Sequence, residues 1–506
     1  MKRLSIHTPL LAATLAFCCS LPSPATAAKA HLDQTARLPN ILFCIADDWG
    51  WPHASAYGDP VVKTPVFDRL ADEGILFKNA YISSPSCTPS RNAILTGQYH
   101  WRLDTGASLY GALPQSEETY PHLLEKAGYK TGHWRKAWGP GKLEGKWADK
   151  HPAGENYKGG FAEFMESLPE GQPFCFWLGA SDPHRGYKLH SGAESGMNLH
   201  EIELFEHFPD SPEVRGDVAD YYFEVQRFDS DVGNAIALLE EKGLLDNTII
   251  VVTGDHGMPF PRCKSNLYDA GARVPLAVRW GDKIKPGRVI EDFVSTTDLA
   301  PTFLEIAGLD PLDAMTGKSL TPLFKGNKSG RTAEDERPYV LTGKERHVPS
   351  QEAPNSGGYP MRALRNHDFL LIKNYAPDRW PNGTPNHQKA FIPGAWYADT
   401  DNGPTKSYIV DNKDKDDEHR RAYELCFGFR PEIELYDLAK DPGQLNNIAD
   451  DPEYTATLKK LIAQLDADLE ETKDPRAVGN APFDTYPYGG GAPKFPGLRK
   501  EPKKKK

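Results

Sequence analysis

Hydrophobic residues in the first two thirds of the chain come in short unbroken runs. Residues 41–46, 174–179 and 248–253 are apolar or β-branched almost throughout. Runs of this length without polar alternation are typical of parallel strands that are covered on both faces. They predict a central sheet that is buried on both sides.

Helical patterns separate these runs. Thr64-Pro65 begins one helix that stops at Gly74, and Thr119-Tyr120-Pro121 begins another that stops at Gly128. Proline suits the first turn of a helix and glycine its end. Strands that alternate with helices predict an α/β domain with a mostly parallel sheet flanked by helices. We place this domain at residues 38–350.

The pattern changes after about residue 330. Residues 359–375 are typical of a hairpin, residues 433–436 of another short strand, and residues 458–469 place leucines and isoleucine on one helix face. Runs of strands followed by one helix predict a smaller C-terminal α+β subdomain with an antiparallel sheet at residues 355–475.

Both ends of the chain differ in composition from the rest. Two basic residues, an apolar stretch at 10–19 and Ala25-Thr26-Ala27 predict a secretory signal peptide at residues 1–27. A lipoprotein signal around Cys18 is the alternative. The apolar stretch is too short to span a bilayer, so we expect an exported, periplasmic or extracellular protein without an integral membrane segment. Residues 476–506 are rich in Pro, Gly and Lys and are predicted to be a disordered tail.

Overall charge gives no reason to expect a nucleic-acid partner. The 506 residues carry 59 Lys and Arg against 70 Asp and Glu, a formal net charge of -11. An anionic substrate would therefore need a local cluster of cations. The cysteines that follow residue 27 are odd in number, which indicates at least one unpaired thiol. They are Cys44, Cys87, Cys175, Cys263 and Cys426. Pairing of Cys263 with Cys426 stays open.

Cys87 begins the most informative motif, Cys87-Thr88-Pro89-Ser90-Arg91, which Leu95-Thr96-Gly97 follows. Pro89 suits the first position of a helix, and the free N–H groups of the helix that follows point back toward Cys87 and favour an anion there. The alternative is a structural cysteine in a Pro/Ser loop. The motif resembles the signature of type I sulfatases, in which this cysteine is oxidised to formylglycine and the hydrated aldehyde is the nucleophile. The resemblance implies an alkaline-phosphatase-like fold and a maturation enzyme, either formylglycine-generating or anaerobic sulfatase-maturating.

Acidic residues follow two of the predicted strands directly. Asp47 and Asp48 come after the first strand, and Asp255 and His256 after Gly254. Ligands of parallel sheets sit beyond such strand ends, and carboxylates suit hard cations. Solvated acids in turns are the alternative. The resemblance implies that Asp47, Asp48, Asp255, His256 and the modified Cys87 hold one divalent ion, expected to be Ca²⁺. His256 stands where the family has Asn, which leaves the metal's identity open.

The resemblance also implies a set of cationic groups around the sulfate. Lys136 lies in a stretch similar to the family's Gly-Tyr-x-Thr-Gly…Lys motif, Lys264 begins one similar to Lys-x-x-x-Tyr-Glu-Gly-Gly, and His184 follows Ser181-Asp182-Pro183. The implied catalytic residues are Cys87, Arg91, Lys136, His184 and Lys264.

Trp138 departs from the family pattern. It stands two residues after Lys136, where the family has a histidine that helps to release sulfate. Tryptophan cannot accept a proton, so His100 and His133 are candidates for a replacement base. The expected substrate contacts are His100, Trp101, His133, Trp138 and His347.

The resemblance predicts a sulfatase that acts on a sulfated saccharide. Local stretches such as Met258-Pro259-Phe260-Pro261 and Tyr359-Pro360-Met361-Arg362 are similar to the heparan N-sulfatase group, which favours an N-sulfoglucosamine substrate. Three alternatives stay open: an O-sulfated polysaccharide as substrate, a phosphatase or phosphodiesterase of the same superfamily, and a glycan-binding protein without catalysis.

Overall fold

The computed structural model describes residues 38–498. The predicted signal peptide and the last residues of the tail lie outside the described residues. From Pro39 onward, the described chain belongs to one compact unit. Within this described part, no helix combines the length and the apolar character needed to cross a bilayer.

The described residues form two sheets with helices packed against them. The strands are β1 (Asn40–Ala46), β2 (Ile75–Tyr81), β3 (Lys130–Arg135), β4 (Glu155–Asn156), β5 (Phe174–Gly179), β6 (Thr248–Gly254), β7 (Leu276–Arg279), β8 (Arg288–Ser295), β9 (Tyr339–Lys344), β10 (Met361–Asn366), β11 (Phe369–Asn374) and β12 (Ile433–Asp437). The α-helices are α1 (Pro65–Asp72), α2 (Cys87–Thr96), α3 (Tyr120–Lys126), α4 (Lys146–Asp149), α5 (Gly160–Glu166), α6 (Ser191–Glu194), α7 (Pro212–Glu241), α8 (Asp269–Ala272), α9 (Leu299–Ile306), α10 (Thr321–Lys325), α11 (Pro404–Asn412), α12 (Asp417–Phe427) and α13 (Thr455–Glu471).

The large sheet has the strand order β4-β3-β5-β1-β6-β7-β2-β8. Only β7 runs antiparallel to its neighbours, β6 and β2, so the predicted mostly parallel sheet is confirmed. Strand β1 is fully buried because its alternating side chains enter two different cores. Leu42 and Cys44 pack with α1, α5 and α7, whereas Phe43 and Ile45 pack with α2, α3 and α9.

The pairing of β1 with β6 positions the functional residues. These strands are parallel, and Ala46 is the register partner of Gly254. The residues that follow, Asp47 and Asp255, therefore leave the sheet side by side at its carboxyl edge.

The smaller sheet has the order β12-β11-β10-β9 and is antiparallel throughout. Helix α13 buries Leu461, Leu465 and Leu469 against it. These residues belong to the apolar helix face that the sequence predicted. The predicted antiparallel sheet with its covering helix is confirmed.

The prediction of a disordered tail is wrong for the part that the structure describes. The side chain of Phe483 is buried, with 1% of its surface exposed. The backbone N–H of Trp396 donates to the Pro493 carbonyl at 3.1 Å. Aromatic side chains fix this segment despite its Pro and Gly content. The cysteines within residues 38–498 are all free thiols, so Cys263 and Cys426 form no disulfide.

A buried ion cluster anchors the second sheet. Arg362 on β10 is fully buried and contacts Asp474 at 2.6 Å and Glu345 at 2.6 Å. Removing one partner of such a cluster leaves uncompensated buried charges, which costs about 3–5 kcal/mol.

We therefore expect Arg362→Met to lower the free energy of unfolding by roughly 3–5 kcal/mol in urea titrations. Lys373→Met is the matched control, because Lys373 pairs with Asp466 at the surface of the same sheet, where ion pairs contribute about 0–1 kcal/mol. Equal effects of the two substitutions would contradict this account.

Candidate active site

The site begins where β1 and β6 end. Asp48 adopts a left-handed backbone conformation with φ of 73°, which aspartate tolerates better than most residues. Its N–H donates to Asp255 Oδ1 at 2.8 Å. This turn directs the Asp47 and Asp48 carboxylates toward the loop that carries Asp255 and His256. These four residues converge in the structure, as the sequence predicted.

Cys87 is the first residue of α2 and lies at the centre of this cluster. Its Sγ is 3.3 Å from His256 Nε2, 3.7 Å from Asp47 Oδ1 and 4.0 Å from Asp48 Oδ1. Burial raises the pKa of the Cys87 thiol well above its usual range. The thiol is therefore held protonated and is a poor nucleophile as it stands.

Arg91, one turn along α2, ties the cluster together. The guanidinium is fully buried, with Nε 2.8 Å from Asp255 Oδ2 and a terminal nitrogen 3.5 Å from Asp47 Oδ1. It also donates to the Lys136 carbonyl. One side chain thus links β1, β6 and the end of β3, and it compensates two buried carboxylates.

Two lysines supply further cations to the cluster. Lys136 Nζ lies 2.5 Å from both Asp47 oxygens. Lys264 Nζ lies 2.9 Å from Asp48 Oδ2 and 3.0 Å from Asp401 Oδ2. Burial opposes its charge, but Asp401 and Asp48 raise the pKa of Lys264 above its usual value. It therefore remains a cation.

His184 faces the same cluster. Its Nδ1 is 2.7 Å from the Arg185 carbonyl, which can only accept, so Nδ1 carries a proton. This bond turns Nε2 toward Asp48 Oδ2, at 3.9 Å. His347 is also close: its Nδ1 is 2.8 Å from the hydroxyl of Ser86, the residue before Cys87.

Asp401 was not predicted from the sequence. It lies on the segment between β11 and α11 and reaches Lys264 across the molecule. Its local signal was weak: an acidic stretch in a connection of nearly thirty residues. Connections of that length are often functional.

The donor set fits a divalent cation. His256 Nδ1 is 3.0 Å from the Gly257 carbonyl and donates to it. Its Nε2 therefore faces Asp48 Oδ1 at 3.2 Å and Asp255 Oδ1 at 3.6 Å, which calls for a proton or a cation between them. Ligand atoms of Asp48, Cys87 and His256 lie within 4.8 Å of one another, as do those of Asp47, Cys87 and Asp255. Three carboxylates and one imidazole suit a hard or borderline ion.

Comparison with known proteins decides the family. The family profile described as Sulfatase matches residues 39–309, more than half of the chain. The chain belongs to the sulfatase family. It is 29% identical over 470 residues to an ulvan-active sulfatase of Formosa agariphila, covering 85% of this chain and 74% of that one. It is also 29% identical over 500 residues to human N-sulphoglucosamine sulphohydrolase, covering 87% and 91%.

A solved structure supports the fold. It holds D-glucosamine-2-N,6-O-disulfate as its substrate and matches with a TM-score of 0.59 at 22% identity, over 88% of this chain and 100% of that one. This likeness bears out the predicted alkaline-phosphatase-like architecture.

The structure does not bring three of the predicted substrate contacts to the site. His100 is fully buried and bonds Ser83, and Trp101 is buried and stacks on Tyr99 with ring centroids 4.3 Å apart. His133 lies inside β3, where its Nδ1 donates to the Gly154 carbonyl at 3.0 Å. These side chains pack the interior, so neither histidine replaces the family's base.

Trp138 stands two residues after Lys136, and its side chain is bonded to α2. It is only 9% exposed, and its Nε1 donates to Asn92 Oδ1 on α2 at 2.6 Å. The indole thus braces the helix that carries Cys87. Where the family has a histidine, this sulfatase therefore has a tryptophan that packs against α2.

A divalent cation should stabilise the folded protein. A ligand that binds only the folded state at a hundred times its Kd adds about 2.7 kcal/mol. We expect Ca²⁺ or Mg²⁺ to raise the Tm of chelator-treated protein in differential scanning calorimetry, and Asp255→Asn to abolish the rise. Asp246→Asn, at an exposed carboxylate, should keep it. The same rise in both variants would show that the cation binds elsewhere.

Proposed function

We propose that this chain is an exported sulfatase that hydrolyses sulfate esters or sulfamates of sulfated saccharides. It uses a formylglycine made from Cys87 and one divalent cation, Ca²⁺. The observation that carries the proposal is the position of Cys87: it begins α2 at 3.3 Å from His256 and 3.7 Å from Asp47. Lys136 and Lys264 bond Asp47 and Asp48, the two aspartates that lie within 4.0 Å of its Sγ.

The formylglycine and the divalent cation would supply the nucleophile and its activation. Oxidation of Cys87 would provide a hydrated aldehyde, and a cation held by the surrounding carboxylates and His256 would lower the pKa of its hydroxyl and neutralise charge on a sulfate oxygen. A formylglycine-generating or anaerobic sulfatase-maturating enzyme is the partner that this chemistry requires.

The protein's own side chains bind and orient the sulfate. Lys136 and Lys264 present ammonium groups fixed by Asp47 and Asp48. Donors that are preorganised in this way stabilise the charge that develops on sulfate oxygens and on the leaving atom. Arg91 is fully buried and bonded to Asp255, so it positions the carboxylates and does not bind the substrate.

Either His184 or Lys264 is the proton donor for the leaving group. The ring of His184 is held by its Nδ1 bond to Arg185, and Nε2 points into the site. A proton on that nitrogen, or on Lys264 Nζ, would pass to the departing oxygen or nitrogen.

The favoured substrate is a sugar with an N-sulfoglucosamine unit. The human relative named for that substrate aligns over 91% of its own length. The ulvan-active relative supports an O-sulfated polysaccharide as the second candidate, at the same identity over 74% of its length.

Modification of residue 87 is directly testable. Protein co-expressed with a formylglycine-generating enzyme should react with an aldehyde probe at residue 87 and release sulfate from N-sulfoglucosamine or sulfated ulvan fragments. Cys87→Ala should lose both properties, whereas Cys44→Ala, at another buried thiol, should keep them. Labelling without sulfate release from any sulfated sugar would contradict the proposed activity.

Loss of one charge-stabilising group should reduce turnover strongly. We expect Lys264→Ala and His184→Ala each to lower kcat by about 10²-fold or more, as removal of one preorganised donor does. The exposed residues Lys283 and His200 provide matched controls, Lys283→Ala and His200→Ala. Wild-type rates in the two site variants would refute the assigned roles.

A further inference from the structure

The exposed fractions of the side chains show from which side a substrate reaches the site. The side chains of Asp48 and Lys264 are 0% and 2% exposed. Those of His184, Asp401 and Lys136 are 35%, 21% and 19% exposed. A substrate that comes from solvent would therefore meet these partly exposed side chains first, and we call the space beside them the opening: two of the groups can bind anions and one is a carboxylate.

Asp401 is held rigidly at this opening. The preceding residue, Thr400, has its carbonyl bonded by buried Lys406 Nζ at 2.8 Å. Asp399 accepts from the Val348 N–H at 2.9 Å and from Lys344 Nζ at 3.0 Å. Groups that are fixed in this way lose little freedom when they bind a ligand.

The carboxylate of Asp401 has unused capacity to accept hydrogen bonds. Its Oδ2 bonds Lys264, whereas within residues 38–498 no donor bonds its Oδ1. A carboxylate oxygen of Asp401 also lies within 4.8 Å of ligand atoms of His184 and Asp48. A sugar whose sulfate lies beside Cys87 would therefore place a neighbouring substituent against Asp401.

The net charge of the site determines how many negative charges a substrate can bring next to Asp401. The carboxylates are Asp47, Asp48, Asp255 and Asp401, and the side-chain cations are Arg91, Lys136 and Lys264. With neutral imidazoles and Lys264 as the proton donor, a divalent cation and one singly charged sulfate ester or sulfamate bring the total to zero. A second anionic substituent at Asp401 would add an uncompensated negative charge.

We infer that Asp401 is a specificity-determining residue: it accepts a hydrogen bond from a neutral hydroxyl of the sugar that carries the scissile sulfate, and it rejects a second sulfate or carboxylate at that position. This inference rests on the proposed function and deepens it. A carboxylate both attracts a donor and repels a like charge, which is how a site discriminates against a near relative of its substrate.

The test measures binding, so that it does not depend on turnover. In a Cys87→Ala background with Ca²⁺ present, Kd is determined by calorimetry for N-sulfoglucosamine and for its 3-O- and 6-O-sulfated forms. We expect Asp401 to favour the monosulfated sugar over one of the disulfated forms by about tenfold, a difference of about 1.4 kcal/mol. Asp401→Asn should remove that preference, and Asp401→Glu should retain most of it.

The matched control is Asp378→Asn, which removes the same charge from an exposed position of the same connection and should leave every Kd ratio unchanged. An unchanged ratio in Asp401→Asn would overturn the inference, as would an equal loss of affinity for all three sugars, because the residue would then act only through Lys264. Failure to bind any of the sugars would also overturn it. Failure of the proposed function is recognised separately, by the absence of sulfate release from matured wild-type protein.

Discussion

The need to neutralise three carboxylates buried at one point is the constraint on which the rest of the site depends. The parallel pairing of β1 and β6 leaves no other place for the residues that follow them. Buried carboxylates are costly unless each is paired. Their partners come from a helix, a strand end and a loop: Arg91, Lys136 and Lys264. Charge compensation therefore fixes these elements relative to one another, and Cys87 lies in the middle because α2 begins there.

The second sheet contributes to the same site from a distance. Its connection from β11 to α11 carries Asp401 to Lys264, and Lys406 and Asp399 hold that connection in place. The residues to which we assign the catalytic chemistry follow strands of the large sheet or lie on helices and loops beside it. The opening that would meet a sugar is formed by these residues together with Asp401, which follows β11 of the second sheet.

The sequence predicted those parts of the fold and of the site whose signals are local. Apolar runs indicated β1, β5 and β6, and the acidic residues directly after β1 and β6 had to meet once the sheet was parallel. Pro89 indicated the helix beside Cys87, although that helix begins two residues earlier, at Cys87 itself. These features depend on neighbouring residues and on one rule of sheet geometry.

Features that depend on distant contacts were missed or predicted wrongly. Asp401 meets Lys264 across 137 residues of sequence, and only a weak local signal marks it. His100 and His133 were candidates because they are close to motifs in sequence, but strand and loop geometry turns both rings into the interior. The tail was predicted to be disordered from its composition, yet Phe483 finds an apolar site. Tertiary packing, which single-residue patterns do not contain, decides each case.

The most direct measurement is a crystal structure of the matured protein grown with Ca²⁺ and sulfate, with anomalous data collected for the metal. The account predicts one anomalous peak about 2.3–2.6 Å from oxygens of the Asp47, Asp48 and Asp255 carboxylates. It also predicts a sulfate between residue 87, Lys136 and Lys264. Carboxylates bonded only to their lysines and arginine, with no peak and an unmodified thiol at Cys87, would contradict it.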